Sequence, residues 1–352
     1  MVRTPRVNRQ EMLRYVHRPK LHKIEFLPVF VSDGFVKSRA LHMLYQTYPG
    51  ICSLQSPDLT TPGGAFSDLK ISSQVPYKSE YIRKLFAKTC HVYEELGSWA
   101  ADYFILESIR RLKTSAHEEV RMRIGPADLE KGSLLKDLMG ILEAEPPIDL
   151  TISADYRSRV SLKVECLIKF LVKEEKPGFS GLIFVQQRAA VSVLSQILSV
   201  HPETKHRFKC ASFVGLSNNA NGKLVVGDLT DTAAQSQTLN EFREGRKNLI
   251  VTTDALEEGI DIPACHFVVS YNNLPTLKSF VQQRGRARQR ESLFGIMVPQ
   301  NDQVAFDVWQ QLEEEMVAAY QSEFRLSQVA ADIDSVEDED NVEDTLRVPS
   351  TE

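Results

Sequence analysis

Between residues 156 and 322, short apolar runs alternate with segments of helical period, and this alternation constrains the chain more than any other feature. The runs at 182–185, 210–214, 249–252, 267–270 and 293–298 are mostly apolar and too short to be helices. Val160, Val164, Leu167, Ile168, Leu171 and Val172 mark a helix that stops at Pro177 and Gly178. Val191, Leu194, Ile197 and Leu198 mark a second, and 233–242, 277–286 and 304–320 read as three more. Strands so uniformly apolar must be covered on both sides. The pattern therefore predicts an α/β fold, a parallel sheet with helices on both faces. Ligands of such sheets sit beyond the carboxyl ends of the strands, so the chemistry is expected there.

The region before residue 150 has a different pattern. From 79 to 112 the positions Ile82, Leu85, Phe86, Tyr93, Leu96, Ala100, Tyr103 and Phe104 keep helical spacing, with a break at Gly97 and Ser98. Ser115 and Glu118 fit a capping box, so a further helix is expected to begin there. Residues 53–77, with Pro57, Pro62, Gly63, Gly64 and Pro76, read as a long loop, and Pro146 and Pro147 close the block. These helices are expected to form a bundle that buries its own core.

Charge divides the chain further. The formal net charge is -5, but residues 331–352 hold nine Asp or Glu and one Arg, which leaves the remainder near +3. Residues 1–25 carry seven Arg or Lys against two Glu. A folded part that is mildly basic and a solvated acidic tail are expected. No apolar run approaches the roughly 18 residues of a membrane span, so no membrane partner is expected. Five scattered cysteines without a C-x-x-C pair, and a start with no apolar stretch behind it, point to an intracellular protein, cytoplasmic or nuclear.

Three segments carry candidate chemistry. In VTTDALEEGIDIP (251–263) an apolar strand runs into hydroxyl residues, then Gly259, where the backbone can approach a ligand closely, then the carboxylate of Asp261. Hydroxyls and N–H groups at a strand end suit phosphate oxygens, and a carboxylate suits a ribose hydroxyl. In QQRGRARQR (282–290), Gln282, Gly285, Arg286 and Gln289 share one helical stripe, and Gly285 removes bulk beside Arg286. Leu277 and Val281, four apart, are expected to anchor that helix to the sheet. Arg288 points away from Arg286 on a continuing helix, so both can serve one ligand only if the helix has ended. The third segment is GLIFVQQR (181–188), a strand with a polar end. Taken singly, the first is also readable as a loop capped by Asp254, and the second as a basic surface patch.

Occurring in this order, the three segments resemble motifs IV, V and VI of the second RecA-like domain of superfamily 2 helicases. The R-G-R-A-R and E-E-G-I-D-I-P forms, with a helical block in front, are similar to Dicer and the cytosolic RNA-sensor helicases, and most similar to fungal Dicer-like proteins. The resemblance implies four parts: a connector (1–34) from a first RecA-like domain, an all-α helical insertion (35–150), a RecA-like C-terminal domain (156–322) and an acidic disordered tail (323–352). It implies that Gln186, Gln187, Arg188 and Thr253 hold the backbone of double-stranded RNA, and that Gly259 and Asp261 face the ribose of ATP. Arg286 would be the arginine finger on the ATP phosphates, with Gln282 nearby. Many relatives have a second arginine where this chain has Gln289, which leaves Arg288 and Arg290 as candidates.

The sequence holds no G-x-x-x-x-G-K-[S/T] loop and no strand-borne magnesium-binding acid. The expectation is a helicase module that hydrolyses no ATP alone, with Mg²⁺ held only by a first RecA-like domain. No metal set is seen: His206 and Cys210 have helical spacing, but no cysteine pair completes a zinc site. Two rivals stand beside this reading. One is a non-enzymatic scaffold that binds a protein partner through the helical insertion. The other is a DNA helicase domain of the Hef type, less similar because the DNA enzymes carry R-G-R-T-G-R.

Overall fold

The structure is a computed structural model that describes residues 19–28, 37–49, 77–120, 126–152, 159–215, 229, 235–256, 260, 262–302, 306–315 and 318, with backbone alone at 77, 116–120 and 126–130. The chain divides into two compact units, one of residues 19–301 and one of 1–18 with 302–352. In the second, residues 306–315 are helical, within the expected final helix. The acidic tail and the expected loop at 53–76 lie outside the described residues.

The larger unit is a six-stranded parallel sheet in the order β1-β6-β5-β2-β4-β3. Its strands are β1 (Lys20–Phe26), β2 (Gly181–Phe184), β3 (Cys210–Phe213), β4 (Leu249–Thr252), β5 (Phe267–Ser270) and β6 (Leu293–Pro299). Five of them stand where the apolar runs predict. All four residues of β2, β4 and β5 are buried, as strands covered on both faces require.

β1 is the strand that the sequence conceals. It falls in the stretch read as a connector, yet it pairs with β6 along seven residues, from Lys20 with Leu293 to Phe26 with Pro299. Only Ile24 of β1 is buried. As an edge strand with charged residues along it, it has no apolar run to betray it.

Helices α5 (Leu162–Glu174), α6 (Arg188–Val200), α7 (Gln235–Arg243) and α8 (Leu277–Arg284) connect the strands. Adjacent residues of β6 show that both faces are covered. A side chain at Gly295 would meet Phe170 of α5, whereas Phe294 packs edge-on against Phe280 of α8. The expected anchors of α8 are the wrong ones. Leu277 and Val281 are 49% and 39% exposed, and Ser279, Phe280 and Gln283 face inward.

The helical region expected to be an insertion comprises α1 (Arg39–Thr47), α2 (Tyr77–Leu96), α3 (Ser98–Val120) and α4 (Pro126–Leu142). The break at Gly97 is where the sequence puts it. The helix expected to start at Ser115 does not: residues 115–118 lie inside α3, because an internal S-x-x-E has no end to cap while the helical ladder continues. The core of these helices is continuous with that of the sheet. Leu85, Trp99 and Phe104 belong to one apolar cluster with Phe170 and Phe267 of the sheet unit. Among the described residues no helix is long and apolar enough to cross a membrane.

Candidate nucleic-acid and nucleotide interface

Phe184 is in register with Thr252, and Val185 N–H donates to Thr252 O (2.8 Å), so the segments that leave β2 and β4 start side by side. Gln186 is exposed, and the loop after β5 holds it twice. Its N–H donates to Asn272 Oδ1 (3.1 Å) and its Nε2 donates to Asn273 O (2.8 Å). Gln187 precedes α6 without a side-chain capping bond. Arg188 opens that helix and donates from Nη1 to Val214 O, 3.0 Å away, beyond β3. Gln186, Gln187, Arg188 and Thr253 therefore gather at the carboxyl edge, as the parallel sheet requires. Thr253 differs in exposure, at 4%, and its Oγ1 accepts from Ala255 N–H (3.4 Å), closing the short 3₁₀ turn Asp254–Leu256.

Arg286 lies elsewhere. α8 ends at Arg284, where Gly285 N–H donates to Val281 O (2.9 Å), so Arg286 and Arg288 leave from a turn. Arg286 Nη1 donates to Ile260 O (3.0 Å), and its own carbonyl accepts from Cys265 N–H (3.1 Å), two residues before β5 begins. The arginine is thus near the amino end of β5, away from the carboxyl edge, because α8 has carried the chain back along the sheet toward the start of β6. The expectation that the chemistry lies beyond the carboxyl ends of the strands therefore does not extend to Arg286. Gly259 and Asp261 lie outside the described residues, but the arginine bonds the residue between them.

Arg288 is exposed and folds back to Gly285 O through Nε (2.6 Å). Gln289 donates from Nε2 to Ala264 O (3.3 Å) and from N–H to Cys265 O (3.2 Å). It joins the turn to the strand approach. Gln282 is half-buried in α8.

Burial pushes the Cys265 thiol up to about 12, although nearby Arg286 acts the other way, and burial also takes Cys210 to about 12. Neither is a thiolate near neutral pH. Among the described residues no group of three or more His, Cys, Asp or Glu could hold a metal ion. Sequence reading missed Asn272, Asn273 and Glu95 (below), since no motif marks an amide or carboxylate whose partners are distant in the chain.

Residues 162–290 match the helicase conserved C-terminal domain. Dicer-like protein 2-1 of Aspergillus niger is 42% identical over 355 residues, covering 99% of this chain and 25% of that protein. Dicer-like protein 2 of Neosartorya fischeri is 41% identical over 359 residues, with the same coverage of 99% and 25%. Among solved structures, the Hef helicase domain of Pyrococcus furiosus is 18% identical, covers 87% of this chain and 60% of that one, and gives a TM-score of 0.40.

Residues 162–290 thus carry a helicase conserved C-terminal domain, whose strands belong to a six-stranded parallel sheet. Over nearly its full length the chain is homologous to a segment of fungal Dicer-like protein 2, and it spans about a quarter of the length of those relatives.

Proposed function

We propose that the chain is the helicase C-terminal module of a Dicer-like protein, which contributes RNA-backbone contacts and an arginine finger to ATP-dependent movement along double-stranded RNA in RNA silencing and antiviral defence. The observation that carries this reading is the separation of two polar groups on one sheet. Gln186, Gln187 and Arg188 stand together at the carboxyl edge, while Arg286 is tethered to Ile260 beside the Gly259–Asp261 positions. One protein can then hold a nucleic-acid backbone and a nucleotide with different residues.

The Arg286 position fits a nucleotide phosphate. The side chain is half-buried and leaves from a turn, Nη1 tethers it to Ile260 O, and a guanidinium is a planar fork whose geometry matches a phosphate. ATP, when bound, supplies the phosphoanhydride bond whose hydrolysis drives movement. Arg286 would neutralise its phosphates, and Gln282, Gly259 and Asp261 would help to hold it. The rest of that site, with any Mg²⁺, would come from a first RecA-like domain. Arg188, Gln186 and Gln187 would meet phosphates and sugars of the RNA, with Thr253 supporting the loop beside them.

Contacts of this kind are insensitive to base sequence and release counterions. Binding of this chain to duplex RNA should therefore weaken steeply with salt. Arg286→Ala should bind RNA within about twofold of wild type, yet lower ATPase by on the order of 10³ or more when a first RecA-like domain is supplied. Titration of RNA at two salt concentrations, with forked DNA as competitor, checks the reading. Salt-independent affinity, or preference for the DNA, overturns it.

A further inference from the structure

α2 of the insertion ends at Glu95 and Leu96, and two separate segments converge on Glu95. Its carbonyl accepts from Ser161 Oγ (2.7 Å), just ahead of α5, and from Tyr271 Oη (2.8 Å), just beyond β5. Its carboxylate oxygen Oε2 accepts from Lys163 Nζ (2.6 Å) and from Asn272 Nδ2 (3.1 Å). Asn272 has a second bond, in which its Oδ1 accepts from the N–H of Gln186. The orientation of this amide follows from chemistry. A carboxylate only accepts and a backbone N–H only donates, so one orientation alone satisfies both.

We infer that Glu95 is a positioning residue, which orients Asn272 and through it fixes the loop of Gln186, Gln187 and Arg188 to the helical insertion. A chain Lys163–Glu95–Asn272–Gln186 thus joins the insertion to the candidate RNA-contacting edge by direct hydrogen bonds. The positioning claim stands on this geometry. Its consequence for RNA binding rests on the RNA-contact reading of the loop.

Two variants separate positioning from support of the fold. Glu95→Ala and Glu95→Gln both take the counter-charge from Lys163, so any damage from that loss is common to both. Only Glu95→Gln keeps an oxygen that can accept from Asn272 Nδ2. Amide hydrogen exchange of the full chain is the measurement, with the Leu182 and Ile183 amides of β2 as internal controls. In Glu95→Ala the Gln186 amide should exchange about tenfold faster relative to those controls, roughly the factor that one hydrogen bond contributes. In Glu95→Gln it should return close to wild type. Duplex RNA binding should follow the same order.

A Gln186 amide unmoved in Glu95→Ala, or equally fast in both variants, overturns the inference. If exchange behaves as expected but neither Glu95→Ala nor Arg188→Ala weakens RNA binding, the RNA reading of the loop fails and the positioning role stands.

Discussion

Phe280 is fully buried on the sheet side of α8, and its ring centroid lies 5.6 Å from that of Phe294 in an edge-on arrangement. Such a pair contributes both area and geometry, so Phe280→Ala should cost about 3–5 kcal/mol of stability. Leu277→Ala, one turn away but half-exposed, should change stability by less than about 0.5 kcal/mol. Denaturant unfolding of the two variants checks this, and equal losses would mean that α8 packs on its other face. The same residue scale explains how Arg286 is presented. With Gly285 ending the helix, a side chain there would come within 3.0 Å of Val281 O, so the glycine gives the turn the room it uses. The order Gln-Arg-Gly-Arg is readable in sequence. That the arginine reaches back to Ile260 is not, because the contact joins residues 26 positions apart.

At the scale of elements, the junction of α2 and α3 holds the N-terminal helices to the rest of the larger unit. Gly97 lies between them with φ near 102°, a conformation that side-chain-bearing residues rarely adopt. Residues 159–161 cross directly over it. Trp99 N–H donates to Arg159 O and Ser161 N–H to Leu96 O, both at 3.0 Å, and a Cβ on Gly97 would lie 2.5 Å from Arg159 O. Gly97→Ala should therefore destabilise the protein by more than about 2 kcal/mol, as strain and overlap act together. A thermal melt monitored in the far ultraviolet measures the loss, and a melt within a degree of wild type would exclude this crossing. Beside the junction, Asp102 is 2% exposed and accepts from Ser38 Oγ and Ala40 N–H, each at 2.8 Å, with Arg159 at 3.2 Å. It fastens the start of α1 to α3. The break at Gly97 shows in the sequence as an interrupted period, but nothing local indicates which segment passes above it.

Over the whole molecule, His22, His91, His201 and His266 are all held below the ordinary imidazole value of 6.5, with burial as the first cause of each. For His91 the carboxylate of Glu95 opposes burial and the ammonium of Lys163 reinforces it. Below 6.5 the unfolded chain takes up protons at these positions that the folded one resists, so acid favours unfolding. Stability should be fully present above 6.5 and fall as pH drops below it. His91→Gln should flatten that slope. Urea unfolding across this range tests both, and stability that rises on acidification would show the imidazoles to be charged in the fold. The α/β class, five of the six strands, the Gly97 break and the polar segments were legible in the residues, because buried strands and helix interruptions are written in local hydrophobicity and backbone freedom. The tertiary structure alone decided that β1 joins the sheet, that α8 packs through Phe280, that Arg286 stands near the amino end of β5, and that Glu95 meets Asn272. Each of these depends on which distant segments touch, and a contact between distant segments leaves no pattern in the residues on either side of it.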